Sequence, residues 1–284
     1  MKIDVHTHIF PPEVVSNREA FFDNEPAFRL LYGSPKAKIV TAEGLITMMD
    51  ELGIDVAVTF GFPWESMEMT KRHNDYILES AAKYDGRLIP LACVFPLTKE
   101  AEFEVARCLE SGAIGAGELA IYGEASTDEA IAAYGRIADV VRRHGKVMLI
   151  HANEPIGHSY PGKAPYGLAF YYEILKRCAD VPVILAHWGG GIFFFGSLKK
   201  EVDNVFKNTY FDTAASPFLY KPCVYKLACQ IVGADRILLG TDYPLLKPDK
   251  YFSEMNAAGL TPEEKEKISG LNAVELFNIR KNRL

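Results

Sequence analysis

The chain has 284 residues, of which 49% are hydrophobic and 24% charged, with a formal net charge of −6. This acidic balance without a Lys/Arg-rich block argues against nucleic acid or an anionic membrane as partner, and no apolar run is long enough to span a bilayer. Five cysteines without a CxxC pair, and a first strand in place of a secretory leader, predict reduced thiols and a cytoplasmic protein.

Eight apolar runs rich in β-branched residues recur along the chain, and several end in an ionisable residue before a Gly- or Pro-containing turn. The runs cover residues 2–8, 56–60, 88–95, 113–118, 147–151, 183–187, 210–212 and 237–242. Each is short and nearly continuous in apolar character, as in strands of a parallel sheet buried on both faces. We therefore predict eight parallel strands.

Stretches with helical spacing separate these runs. After Thr41, a plausible N-cap, four apolar residues follow the spacing i, i+3, i+4, i+7 up to Leu52, and Gly53 stands where a helix should stop. Residues 127–145 repeat the design and carry basic residues near their C-terminal end, where the helix dipole favours positive charge. Alternating strands and helices predict an α/β protein.

Eight such units in 284 residues fit one (β/α)₈ TIM barrel, a single domain over residues 1–284. A doubly wound open sheet is the rival. It fits less well, because Phe10-Pro11-Pro12 follows the first strand where a dinucleotide-binding fold would carry a glycine fingerprint.

The strand ends carry the candidate site residues. His6 and His8 are two residues apart on the first strand, so their imidazoles point to the same face and can converge on one metal ion. In a barrel the C-terminal ends of all strands meet at one mouth. The other ionisable strand-end residues there are Glu118, His151, His187 and Asp242. Glu118 has two open interpretations, a metal ligand or bridge and a carboxylate paired with a nearby cation.

This order of residues resembles the amidohydrolase superfamily, in particular its amidohydrolase-related branch. The stretch Ile-Ser-Gly-Leu-Asn-Ala-Val-Glu-Leu-Phe at 268–277 and the loop at 153–163 are similar to that branch as well. The resemblance implies a divalent metal, most simply zinc, with manganese as an alternative, in one or two copies. His6, His8 and His151 would hold it, with Asp242 as ligand and proton acceptor. His187 would be a second-ion ligand or an acid/base, and Glu118 a bridge if two ions bind.

Three functions follow from this resemblance. The first is hydrolysis of a C–O or C–N bond in a small ester, lactone or amide by a metal-activated water. The second is a metal-dependent decarboxylase, similar to the aminocarboxymuconate-semialdehyde and hydroxybenzoate decarboxylases. The third is a barrel that binds metal without turnover, against which the presence of Asp242 and His187 argues. A nuclease is a minor variant of the first.

Residues 10–40 form a long loop with little helical period, which we expect to cover the mouth of the barrel. Arg18 in this loop, Lys163 beyond the fifth strand and Trp188 beyond the sixth suggest a pocket for a small, carboxylated substrate. His158 either contacts the substrate or ties down a turn. His73 and His144 fall on predicted helices, where we expect a solvated surface. A homo-oligomer is compatible with this picture.

Overall fold

A computed structural model describes residues 1–123 and 125–279, and residues 280–284 of the predicted domain lie outside the described residues. All eight predicted runs contain a strand, and every strand pair is parallel. The strands are β1 Ile3–His8, β2 Val56–Phe60, β3 Leu88–Pro90, β4 Gly115–Leu119, β5 Val147–Ile150, β6 Val183–Leu185, β7 Thr209–Asp212 and β8 Ile237–Leu238.

The strands close into a barrel. The regular ladders run β1-β2-β3 and β4-β5-β6-β7-β8. Ala92 N donates to Gly115 O over 2.9 Å, which joins the end of β3 to β4. Val5 N donates to Leu239 O over 2.8 Å, which joins β8 to β1. Because both outer strands of each ladder are paired in this way, the fold is the predicted (β/α)₈ barrel and the open-sheet alternative is wrong.

Helices surround the strands, most of them on the outside of the barrel and a few at its mouth. They are α1 Pro12–Ser16, α2 Pro26–Tyr32, α3 Ala42–Leu52, α4 Met67–Lys83, α5 Ala101–Glu110, α6 Thr127–Arg143, α7 Leu168–Arg177, α8 Glu201–Val205, α9 Ser216–Leu219, α10 Cys223–Val232, α11 Pro248–Ala257, α12 Pro262–Glu266 and α13 Asn272–Leu276. The Thr41 hydroxyl accepts from Gly44 N at the start of α3, and Gly53 ends the helix with φ 68°. No described helix combines the length and the apolar character needed to cross a bilayer.

Alternate residues of each strand pack on two different cores. Val147 and Leu149 of β5 point into the barrel, whereas Met148 and Ile150 pack against the surrounding helices. This alternation follows from the two-residue period of a strand. It explains why each run is apolar throughout, since both faces are buried.

The long first loop is more ordered than its sequence predicts. It contains α1, α2 and a 3₁₀ turn at Arg18–Phe21, and Phe28 of α2 packs on Phe62 and Trp64 in a separate apolar cluster. The buried Glu25 carboxylate accepts from Glu65 N and Ser66 N, each over 2.9 Å, at the start of α4. The loop is thus a packed wall that is fastened to the barrel.

The prediction that His73 lies on a solvated surface is wrong, because its side chain is 1% exposed. Trp64 Nε1 donates to His73 Nδ1 over 2.8 Å, and His73 Nε2–H donates to Ile9 O over 2.7 Å. The α4 face that carries His73 is turned toward the end of β1. His144 is half-buried at the end of α6, where its Nδ1–H donates to Val140 O.

The burial of His73 predicts a loss of stability in acid. Burial lowers the pKa of His73 from 6.5 to about 4, so between these values the unfolded chain binds a proton that the folded chain does not. The free energy of unfolding should therefore lose about 3 kcal/mol at this residue as the pH falls from 6.5 to 4, at about 1.4 kcal/mol per pKa unit.

Urea unfolding at pH 7.5 and pH 4.5 checks this prediction. The wild type should lose more free energy of unfolding over this interval than His73→Gln, and His144→Gln should behave as the wild type. An equal loss in the wild type and His73→Gln would contradict the prediction.

Candidate metal centre

Three histidines point the same ring nitrogen, Nε2, at the centre of the barrel mouth. The Nδ1–H groups donate outward, from His6 to Asp212 Oδ2, from His8 to Gly61 O and from His187 to Ala214 O. An imidazole whose Nδ1 carries the proton leaves Nε2 as a bare acceptor. Each ring is therefore oriented to offer a lone pair to the centre.

Glu118, at the end of β4, lies between these rings, and we call the groups that face its Oε2 atom the first half of the centre and those that face its Oε1 atom the second half, although His187 also lies near His6 and Asp242. Its Oε2 atom lies 3.7 Å from both His6 Nε2 and His8 Nε2. Its Oε1 atom lies 3.6 Å from His187 Nε2 and 3.0 Å from His151 Nδ1. Burial alone would raise the pKa of Glu118, but the charges of His6 and His151 lower this pKa well below its usual range.

Asp242 completes the first half. Its Oδ1 atom lies 3.3 Å from His8 Nε2 and 3.7 Å from His6 Nε2. The residue adopts a left-handed φ of 60°, and its backbone N donates to His6 O over 2.9 Å. This local turn after β8 directs the carboxylate toward β1.

His151 differs from the other three histidines. Its Nε2–H donates to Gly162 O over 2.9 Å, and its Nδ1 faces Glu118 Oε1. The structure thus groups His151 with Glu118 and His187, and not with His6 and His8 as the sequence suggested. The reason is the loop after β5, whose Gly162 carbonyl turns the ring.

The donor set fits a divalent cation. His6 Nε2 is buried and has no hydrogen-bond partner among the described residues, which is a costly state for a ring nitrogen without a ligand. Imidazole and carboxylate donors of His6, His8 and Glu118 lie within 4.8 Å of one another. Burial alone would lower the pKa of His6, but the carboxylates of Asp212 and Glu118 raise it to about 10, so without an ion the ring holds a second proton that a divalent cation would replace. The centre therefore attracts positive charge, and its nitrogen and oxygen ligands suit zinc or manganese.

Asp212 is a functional residue that we did not predict. Its side chain is fully buried at the end of β7, and Oδ1 accepts from His187 N and Ala214 N, each over 2.9 Å. Its Oδ2 atom accepts from His6 Nδ1 over 2.9 Å. Its position at a strand end was a usable signal, since the other site residues share it.

A cavity of about 510 Å³ opens above the centre. Its floor is formed by His8, Glu118, His151, His187 and Asp242. Its walls are largely apolar and include five aromatic side chains, which are Tyr32 from α2, Phe218 from α9, and Phe62, Tyr122 and Tyr160 from the loops around the mouth. The rings of Phe62 and Tyr122 are parallel within 6°, with centroids 6.3 Å apart. The aromatic wall was not predicted, because it depends on how the first loop folds.

Of the four residues predicted to contact substrate, His158 lines the cavity and the other three do not. Arg18 lies outside its lining and donates to Ala37 O over 2.6 Å. Lys163 donates to Ile156 O over 2.9 Å within its own loop. Trp188 is fully buried and donates from Nε1 to Ser216 Oγ over 2.9 Å. The last three side chains hold loops in place, so we assign them no contact with substrate.

Similar folds occur in solved structures of decarboxylases. The 2,6-dihydroxybenzoate decarboxylase from Rhizobium is 19% identical, with a TM-score of 0.70 over 98% of each chain. The 5-carboxyvanillate decarboxylase from Novosphingobium aromaticivorans, complexed with manganese, is 18% identical, with a TM-score of 0.73 over 98% of this chain and 96% of that chain. A dihydroxybenzoic acid decarboxylase from Polaromonas with bound manganese is 19% identical, with a TM-score of 0.72 over 100% of this chain and 98% of that chain. At these identities the likeness establishes the fold.

The sequence itself matches one family. No curated protein sequence matches the chain. The amidohydrolase family model matches residues 3–279, which include all the residues of the centre. This match confirms the resemblance drawn from the order of the strand-end residues. The chain belongs to the amidohydrolase family.

Proposed function

We propose that this protein is a metal-dependent decarboxylase that acts on a small aromatic or unsaturated carboxylic acid. From the sequence we placed hydrolysis first and decarboxylation second, and the decarboxylases of similar fold support the second better. The observation that carries the proposal is the division of the centre by Glu118. One half offers ligands for a single ion, and the other half holds a histidine that faces the cavity.

The first half would hold the ion through His6 Nε2, His8 Nε2 and Asp242 Oδ1, with Glu118 Oε2 beside them. A divalent ion bound there supplies Lewis-acid chemistry to an oxygen of the substrate carboxylate. The ring of the acid would then lie between the aromatic side chains of the cavity wall. Manganese and zinc both suit this ligand set.

The second half of the centre would supply a proton to the substrate. His187 lines the floor of the cavity with its Nε2 atom 3.6 Å from Glu118 Oε1. In decarboxylation the C–C bond to the carboxylate breaks, CO₂ leaves and the electron pair remains on the substrate carbon. Burial alone would lower the pKa of His187, but Glu118 and Asp242 raise it and so favour the imidazolium form, which carries a second proton on Nε2. His187 donates this Nε2 proton to the substrate carbon, which forms the new C–H bond, and is reprotonated from solvent. His151, held between Gly162 O and Glu118 Oε1, keeps the carboxylate beside His187.

The aromatic walls support a planar substrate. Phe62, Tyr122 and Tyr32 present ring faces and edges to the cavity, which favour offset or edge-to-face contacts with another ring. The lining offers few charged groups apart from the floor and the two lysines of the first loop, Lys36 and Lys38. A small ring acid fits this chemistry better than a polyanion.

Hydrolysis is the second candidate, and one observation favours it. Each oxygen of Glu118 faces a different pair of histidines, as in a carboxylate that bridges two ions. A second ion at Glu118 Oε1, His151 and His187 would remove His187 from proton transfer. It would favour attack of water on a small ester, lactone or amide.

Product analysis distinguishes the two reactions. The protein, loaded with manganese, is incubated with 2,6-dihydroxybenzoate, 5-carboxyvanillate and other ring acids, and the release of CO₂ is followed. In parallel, aryl esters, lactones and anilides are tested for release of acid. We expect CO₂ from at least one acid and loss of this activity after removal of the metal. Turnover of esters, lactones or amides alone would contradict the proposal and support the second candidate.

A further inference from the structure

Asp212 connects the two halves of the centre through one buried carboxylate. It lies at the end of β7 and is 0% exposed, yet among the described residues its oxygens are not part of any cluster of candidate ligand atoms within 4.8 Å of one another. Instead its oxygens accept from three fixed donors, His6 Nδ1–H, His187 N and Ala214 N, each over 2.9 Å. A buried carboxylate with three short hydrogen bonds is held in one orientation.

The bond to His6 determines which ring nitrogen can take a metal. A carboxylate only accepts hydrogen bonds, so His6 Nδ1 must carry a proton. The opposite nitrogen, Nε2, is then the one that can present a lone pair, and it is buried without a hydrogen-bond partner in the described part of the chain. Gly240 makes room for this arrangement, since a Cβ there would lie 2.9 Å from His6 Cβ and 3.2 Å from Asp212 Cβ.

The other oxygen of Asp212 sets the backbone of His187. His187 has a φ of 55°, an uncommon conformation for a residue other than glycine, and its N donates to Asp212 Oδ1. Ala214 N donates to the same oxygen, while Ala214 O accepts from His187 Nδ1–H over 3.0 Å. The carboxylate thereby fixes both the backbone and the ring partner of His187, and so directs its Nε2 toward Glu118.

We infer that Asp212 is a positioning residue that sets the His6 tautomer for metal binding and holds His187 in its left-handed conformation. This inference rests on the metal centre of the proposed function and is independent of whether the reaction is a decarboxylation or a hydrolysis. Ligand histidines in metalloproteins commonly depend on such a partner, and its loss costs about 10- to 100-fold in metal affinity.

Asp212→Asn tests this inference with almost no change of shape. The single amide oxygen of Asn must face the two backbone N–H groups of His187 and Ala214, which leaves its NH₂ group opposite His6 Nδ1. His6 Nδ1 must then accept, so the ring proton moves to Nε2 and blocks the ligand atom. We expect the affinity for Zn²⁺ to fall about 10- to 100-fold, with little change in the fold.

The experiment titrates zinc alone into chelator-stripped protein in competition with a chromophoric chelator, for the wild type, Asp212→Asn and the control Glu104→Gln. Glu104 is also a buried carboxylate, but it bonds to Asn74 and Arg107, away from the centre. Glu104→Gln should bind zinc as the wild type does. Circular dichroism compares the metal-free folds.

The outcomes separate this inference from the proposed function. If wild type and Asp212→Asn bind zinc equally, the inference is overturned and the metal centre stands. If the wild type binds no zinc, both fail. Nitrogen NMR of histidine-labelled wild type loaded with zinc adds a measurement that does not require the variant to fold. His6 Nδ1 should be protonated, and a bare Nδ1 would overturn the inference.

Discussion

Replacing His8 with alanine is expected to abolish most metal binding and turnover. The change removes the Nε2 atom that lies 3.3 Å from Asp242 Oδ1 and 3.7 Å from Glu118 Oε2. Turnover should fall about a thousandfold, because a catalytic metal contributes several kcal/mol and each 1.4 kcal/mol or so is a factor of ten in rate. Metal content after dialysis and the rate of CO₂ release measure the two effects.

His144→Ala is the matched control for this variant. His144 is also a histidine with its Nδ1–H bonded to a backbone carbonyl, but it lies at the end of α6, outside the cavity lining. It should keep the metal content and turnover of the wild type. If His8→Ala kept them as well, His8 would have no place in the centre.

Replacing His187 with asparagine is expected to separate metal binding from catalysis. If His187 is the proton donor, turnover should fall by about a hundredfold to ten-thousandfold, the usual contribution of a positioned general acid. The metal content should stay that of the wild type, since the ion would be held by His6, His8 and Asp242 in the other half of the centre.

Rates and metal content measured on the same preparation decide this prediction. A loss of one ion per chain in His187→Asn would identify His187 as a ligand of a second ion and favour hydrolysis. Unchanged turnover would remove His187 from the reaction.

The barrel could be predicted from the sequence because its parallel strands are buried on both faces and so appear as apolar runs. The residues at which the strands end could not be predicted. The run at 88–95 becomes a regular strand only to Pro90, since proline has no N–H to donate, and Ala92 then forms an isolated bridge to Ala116. β6 ends at Leu185, two residues before the left-handed His187. β8 ends at Leu238, because Leu239 N donates to Ile268 O and not to a neighbouring strand.

The candidate ligands could be predicted because the C-terminal ends of barrel strands meet at one mouth. Their partners could not, since hydrogen bonds between residues such as His6 and Asp212, 206 positions apart, depend on the three-dimensional packing of the strands. The same reason explains Trp188, which bonds to Ser216 of α9. Lys163 has the chemistry of a substrate contact but bonds to a carbonyl of its own loop, whose conformation the sequence did not predict. His73 was misplaced because α4 is buried on the face toward the first loop.

The number of divalent ions per chain is the most direct test of a centre that binds one metal ion and leaves His187 free for proton transfer. Protein purified without chelator, and again after reconstitution with manganese or zinc, is analysed by plasma mass spectrometry alongside His8→Ala. We expect one ion per wild-type chain and almost none in the variant. Two ions per chain would contradict the assignment of His187 to proton transfer, and none after reconstitution would contradict the metal centre itself.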